Sequence, residues 1–131
     1  MIRLKRAYDP VARTDGARFL VDQLWPRGVQ RSALKIKDWC REVAPSKELR
    51  QWFGHDPAKW NEFQSRYSCE LDAKAEAWKP LLDAAQEGEI TLLFGARDTE
   101  HNNAVVLKDY LERQLKKKRV PATRKRADGT G

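Results

Sequence analysis

Two short runs hold most of the side chains that could do chemistry. Arg97-Asp98-Thr99-Glu100-His101-Asn102-Asn103 gathers a carboxylate, an imidazole and two amides, and Trp25-Pro26-Arg27-Gly28, preceded by Asp22, sets a guanidinium at the tip of a turn. Together with Tyr8, these residues suit a small anionic ligand, phosphate-bearing or nucleotide-like. Guanidinium forks and backbone N–H groups would hold the anion, and an indole would lie on a base. The candidate ligand-binding residues are Tyr8, Trp25, Arg27, Arg97, Asn102 and Asn103. The same parts also fit a hydrolase or transferase, with Asp22 or Asp98 as general base, His101 as acid or base, and Arg27 on an oxyanion or phosphate. No nucleophile is selected, however. There is no Ser in a nucleophile elbow and no Gly-rich phosphate loop, and Cys40 and Cys69 lie outside both runs. The competing reading is structural: Asp22 pairs with Arg27 or a backbone turn, and the two Asn residues are local caps.

The elements that must position these residues follow from the hydrophobic pattern. Ile90-Thr91-Leu92-Leu93-Phe94 is an almost unbroken apolar run, which predicts a central strand covered on both faces. After Gly95-Ala96 the polarity switches. Ala104, Leu107, Tyr110, Leu111 and Leu115 then recur at helical spacing, with Asp98 or Thr99 expected as the N-cap. The polar turn therefore lies beyond the carboxyl end of a strand, where open α/β sheets hold ligands. Ile2 to Tyr8 alternates apolar and basic residues, as a half-exposed strand near a sheet edge does, and Arg18 to Leu24 predicts a second strand. The roughly ten-residue connection between them is short for a helical crossover, so either the two strands are antiparallel or a bare loop makes the crossing. If the strands ending at Tyr8, Leu24 and Phe94 run parallel, the residues beyond their ends converge on one cleft.

Between these strands the pattern is mainly helical. Ser32-Ala33-Leu34 reads as a helical turn and Ile36 to Trp39 as a short third strand. Ser46 can cap a helix over Lys47 to Phe53 that stops at Gly54. Asp56-Pro57 starts another, carrying Trp60, Phe63, Tyr67 and Leu71 at three- and four-residue spacing. Ala75 to Ala85 continues the pattern, with Lys79-Pro80 expected to kink or interrupt it, so the region reads as helices 57–71 and 74–87. The aromatic series is read as core, and His55 as a connector between helices.

Composition bounds the rest. A chain of 131 residues, 40% apolar with five Trp, supports one domain with a real core. No apolar run approaches the roughly 18 residues that a membrane span needs. The N-terminus has no apolar segment after its charges, so a cytoplasmic protein whose two cysteines stay thiols is expected. Two His without ligand spacing give no metal site, and no cofactor is named by any motif. The net charge of +7 sits largely in residues 116 to 131, where seven Lys or Arg face only Asp128. This stretch reads as a basic tail outside the domain, disordered beyond about Lys118. It is either a solvated end or an electrostatic grip on nucleic acid. Residues 1 to 50 are also basic, with twelve Lys or Arg against six acids, whereas 51 to 115 hold seven against twelve. A nucleic-acid-binding protein using the tail and this basic first third is the alternative function.

Several of these segments together carry a family resemblance: Arg6-Ala7-Tyr8-Asp9, Asp15-Gly16, Leu20 through Gly28, Ala44-Pro45-Ser46 with Glu48-Leu49-Arg50, Trp52 through Pro57, and Thr91-Leu92-Leu93 with Asp98 through Ala104. Over about residues 1 to 115 the chain resembles the YeaO-like proteins, small uncharacterised bacterial and archaeal proteins grouped under a domain of unknown function. The resemblance implies a compact α/β domain and no activity. More distant members of the wider group carry a Cys-His-Arg run where this chain reads His101-Asn102-Asn103-Ala104, so thiol chemistry does not carry over. The expected architecture is a single small three-layer α/β domain over residues 1–115, with a short, mostly parallel central sheet flanked by helices.

Overall fold

A computed structural model describes the backbone of residues 1–128 and the side chains through Lys117. Four strands form one sheet: β1 (Ile2–Arg6), β2 (Ala17–Leu20), β3 (Asp38–Trp39) and β4 (Ile90–Phe94), in spatial order β1-β4-β2-β3 with every pair parallel. The α-helices are α1 (Arg31–Leu34), α2 (Lys47–Phe53), α3 (Trp60–Asp72), α4 (Ala75–Glu87) and α5 (Asn103–Asp128). β4 is central, as its apolar run predicts, and all five of its residues are buried. The alternating β1 is an edge strand.

The pleat sends successive β4 side chains to opposite faces. Ile90, Leu92 and Phe94 enter the main core with Phe19, the aromatic residues of α3, and Leu107 and Leu111 of α5. Leu93 enters a smaller core with Leu20 and Leu34, against which Trp25, Val29, Ile36 and Trp39 pack. The second face is thus covered by α1 and its flanking loops, while the long helices lie on the first. Thr91, also on the second face, is buried because its hydroxyl donates to the Asp15 carbonyl at 2.7 Å.

The bare-loop alternative holds for the β1–β2 connection: both strands pair with β4 and not with each other. Gly16 makes this crossing feasible. It sits at φ +65°, and a Cβ there would lie 2.1 Å from the Glu89 carbonyl oxygen. The loop is fastened by Asp15, which accepts from Lys5 at 3.0 Å and from Arg18 at 2.5 Å, while Arg18 also donates twice to the Leu34 carbonyl.

Four local expectations are corrected. β2 ends at Leu20 rather than Leu24: the Val21 N–H makes one more bond, to Leu93, and the chain then leaves the sheet. Pro80 lies inside α4, and the helix runs through it. The break between α3 and α4 falls at Ala73-Lys74, where the reading of two helices put it, and there the Trp78 indole caps the Leu71 carbonyl at 2.8 Å. α3 begins at Trp60, after a 3-10 turn over Pro57–Lys59 that Asp56 caps. α5 begins at Asn103, so neither Asp98 nor Thr99 is its N-cap: Asn102 accepts the Val105 N–H at 3.1 Å, and Asp98 caps the preceding turn. The predicted cap of α2 is present, with Ser46 Oγ accepting from the Leu49 N–H. α5 continues past Leu115 to Asp128, so its backbone takes in most of the stretch read as a tail; the side chains from 118 on and residues 129–131 lie outside the described residues.

Candidate functional site

Beyond the carboxyl ends of β2 and β4 lies a cleft of about 640 Å³. Its walls come from three places. The loop after β2 supplies Asp22, Gln23, Leu24 and Arg27; the region of α2 supplies Pro45, Arg50, Gln51 and His55; and the far side is Gly95-Ala96 with Asn102-Asn103. Buried Phe53 and Phe63, stacked at 4.3 Å, also line it.

Asp22 is brought here because the chain leaves the sheet after Val21, so that its Oδ2 accepts the Gly95 N–H at 2.8 Å. Asn103 Nδ2 donates to the Val21 carbonyl at 3.1 Å and holds the first turn of α5 against the same loop. Burial pushes the Asp22 carboxyl above its ordinary value, opposed by hydrogen bonds from Gly95 and Asn103 and by the charges of Arg50 and His55. A carboxylate so placed can take up a proton or accept a ligand's hydrogen bond.

Arg27 reaches the cleft from the tip of its turn, which Tyr8 supports by donating its hydroxyl to the Arg27 carbonyl at 2.9 Å. Arg50 donates Nε–H to the Pro45 carbonyl at 3.2 Å, which fixes its guanidinium. His55 follows the helix-ending Gly54, and both residues sit in the left-handed region, at φ +58° and +53°. For a non-glycine residue that conformation costs on the order of 1 kcal/mol, and such strain clusters at functional positions.

Of the residues nominated from sequence, Asp22, Arg27, Asn102 and Asn103 line one cleft. Asn102 is almost fully buried, with its amide donating to the Asp98 carbonyl. The others stand apart from the cleft wall. Trp25 packs edge-on to Trp39 at 5.3 Å and donates its indole N–H to Val29, as part of the second-face core. Tyr8 acts on the backbone of the Arg27 turn. Arg97 is exposed. Asp98 and His101 pair with each other at 2.9 Å, and the His101 ring stands edge-on to Trp60 at 5.1 Å. The Asp98 carboxyl lies below its ordinary value, chiefly because it accepts the Glu100 N–H, and also because it pairs with His101.

Sequence reasoning missed Arg50 and His55. The signal was present in Glu48-Leu49-Arg50 and Gly54-His55-Asp56-Pro57, runs that carry part of the family resemblance but were otherwise read as helix and connector. Cys40 and Cys69 are free thiols outside the cleft, and burial, with help from Asp38, pushes Cys40 up to about 12. No group of three or more His, Cys, Asp or Glu placed to hold a metal ion occurs among the described residues. No helix among them is long and apolar enough to cross a membrane.

An all-parallel α/β domain with a polar cleft at its strand ends is the class that fold and site define. A family profile described as "DUF488-N3i: Inactive DUF488-N3 subclade" matches residues 1–128. "Uncharacterized protein YeaO" of Escherichia coli is 41% identical over 110 residues, covering 84% of this chain and 96% of the relative. "Uncharacterized protein Rv3073c" of Mycobacterium tuberculosis and "Uncharacterized protein Mb3100c" of Mycobacterium bovis are each 37% identical over 110 residues, covering 84% of this chain and 92% of theirs. The chain belongs to this YeaO-like family. No solved structure gives a significant match.

Proposed function

We propose that the protein binds a small anionic ligand, phosphate-bearing or nucleotide-like, in the cleft between Arg27, Arg50 and Asn103. The observation that carries this reading is that two arginines face one cleft and, among the described residues, neither is in an ion pair. Asp22 is the one carboxylate on the wall, and burial biases it toward its neutral form. Arg27 and Arg50 would grip the anion, and Asp22, Gln23 and Gln51 would take the ligand's donors. Hydrolase or transferase chemistry would place Asp22 as base beside the two arginines. The cleft wall holds no Ser, Thr or Cys as a nucleophile, and the matching family is described as inactive, so binding without turnover is the favoured reading.

A thermal-shift screen of inorganic phosphate, nucleotides, sugar phosphates and small acids should give at least one hit. Because a charge-assisted hydrogen bond is worth about 1.5 to 3 kcal/mol, Arg27→Ala or Arg50→Ala should weaken that hit roughly ten- to a hundredfold with little change in melting temperature. Hits that survive both substitutions would sink the proposal. The alternative, nucleic-acid binding, draws on the +6 balance of residues 116–131. Truncation after Leu115 separates the two, since it should abolish tail-driven binding and leave the cleft ligand bound.

A further inference from the structure

A second, shallower cavity of about 360 Å³ adjoins the cleft, and the two share Pro45 and Arg50 as a common wall. It is strongly basic: Arg41, Lys47 and Lys74 join Arg50 there, against Glu42 as the one acid on its wall. Among the described residues none of these four cations is in an ion pair. Glu70 of α3 lends its charge to Lys74 from outside the wall, but its carboxylate oxygens take their hydrogen bonds from the Ser46 N–H at 2.8 Å and the Ser46 hydroxyl at 2.6 Å, and it makes no ion pair with any of the four. Two of the cations are held in place: the Lys74 amine donates to the Ala44 carbonyl at 2.7 Å, and the Arg41 guanidinium lies over Trp39 at 4.7 Å. Partial burial lowers the Lys74 pKa even against the opposing charges of Glu70 and Glu42, so a further anion beside that amine is favoured. Unpaired cations on the wall of a concavity stand against their own mutual repulsion, and an anion lying among them relieves it.

We infer that the ligand of the cleft is an oligophosphate, with one phosphate on Arg27 and Arg50 and the following phosphates running past Arg50 into the cavity of Arg41, Lys47 and Lys74. This rests on the anion-binding reading above and names its ligand class. A single phosphate would leave the second cavity unused, whereas a chain of two or three bridges both through the shared arginine.

The test is calorimetric titration at fixed ionic strength with orthophosphate, pyrophosphate and tripolyphosphate. The expected result is affinity rising about tenfold or more from orthophosphate to tripolyphosphate. The Arg41→Ala/Lys47→Ala double variant should remove that gain and leave orthophosphate binding and melting temperature as they were. The Lys35→Gln/Lys37→Gln variant, which takes two charges from outside both cavities, should keep the gain. Equal affinity for all three phosphates would overturn the oligophosphate assignment and leave the cleft reading standing. An equal loss in the Lys35→Gln/Lys37→Gln variant would overturn it too, by showing that the gain is a general charge effect. No binding of any of the three would overturn both, and Arg50→Ala distinguishes the cleft by losing all three together.

Discussion

Two carboxylates flank β2, and their surroundings differ in kind. Asp15, just before the strand, is 2% exposed; burial works against its charge, yet the Ala12 N–H, Lys5 and Arg18 together hold its carboxyl below the ordinary value. Asp22, just after the strand, has the Gly95 N–H and the Asn103 amide but makes no ion pair among the described residues, and burial outweighs the charges of Arg50 and His55. The first is a closed network with its charge matched inside the fold. The second is left open toward a cleft whose arginines have no ion-pair partner among the described residues. A fold closes the polar groups it needs for stability and leaves unmatched those that await something from outside.

The largest expected effect tests the closed side. Arg18→Ala would leave the buried Asp15 with Lys5 as its one ion-pair partner and uncap the Leu34 carbonyl, so chemical denaturation should show a loss of roughly 3 to 5 kcal/mol. A loss under 1 kcal/mol would mean that water reaches Asp15 and that the network is not closed.

The open side is tested by Asp22→Asn, which should melt at or above the wild-type temperature near neutral pH. Because the folded carboxyl value of Asp22 is raised, its favourable contribution is full below an unfolded value of about 3.9 and is lost as pH rises through the folded value. Asp15 has the opposite sign: its contribution is full above that unfolded value and is lost as pH falls through the lowered folded value. The advantage of Asp22→Asn should therefore fade when melting is followed down below about pH 4. An Asp22→Asn protein clearly less stable than wild type at pH 7 would place Asp22 with Asp15 as a structural group.

The smallest effect concerns residues past the first turns of α5. A chain ending at Lys118 should melt within a few degrees of the full-length protein, by differential scanning calorimetry. A drop of more than about 10 °C would show that the basic end docks on the domain.

How much of this was legible in the sequence depends on how local the cause is. β4 could be read because an unbroken apolar run has few other uses, and the cap of α2 because Ser46 meets its own helix. The start of α5 could not be read, since Asp98, Thr99, Asn102 and Asn103 are all competent caps. The choice is made at a distance, by His101 lodging edge-on against Trp60 and by the burial of Asn102. The site was half legible for the same reason. Asp22, Arg27, Asn102 and Asn103 follow from strand ends, whereas Arg50 and His55 arrive through the packing of α2 and a left-handed turn that no periodicity announces. Trp25 was drawn away by Leu20, Leu34 and Leu93, which need a cover on the second face of the sheet.

The strand order also governs the time course of folding. Ile2 and Ala17 both pair with Ile90, so the two earliest strands have no ladder with each other and must wait for a partner made near the end of the domain. On the ribosome they emerge edge-exposed, and the sheet can close only when the segment after α4 arrives; slow, non-local closure of this kind is when chains aggregate. The basic residues of β1, Arg3, Lys5 and Arg6, stand along that waiting edge, where like charges keep two nascent copies from pairing.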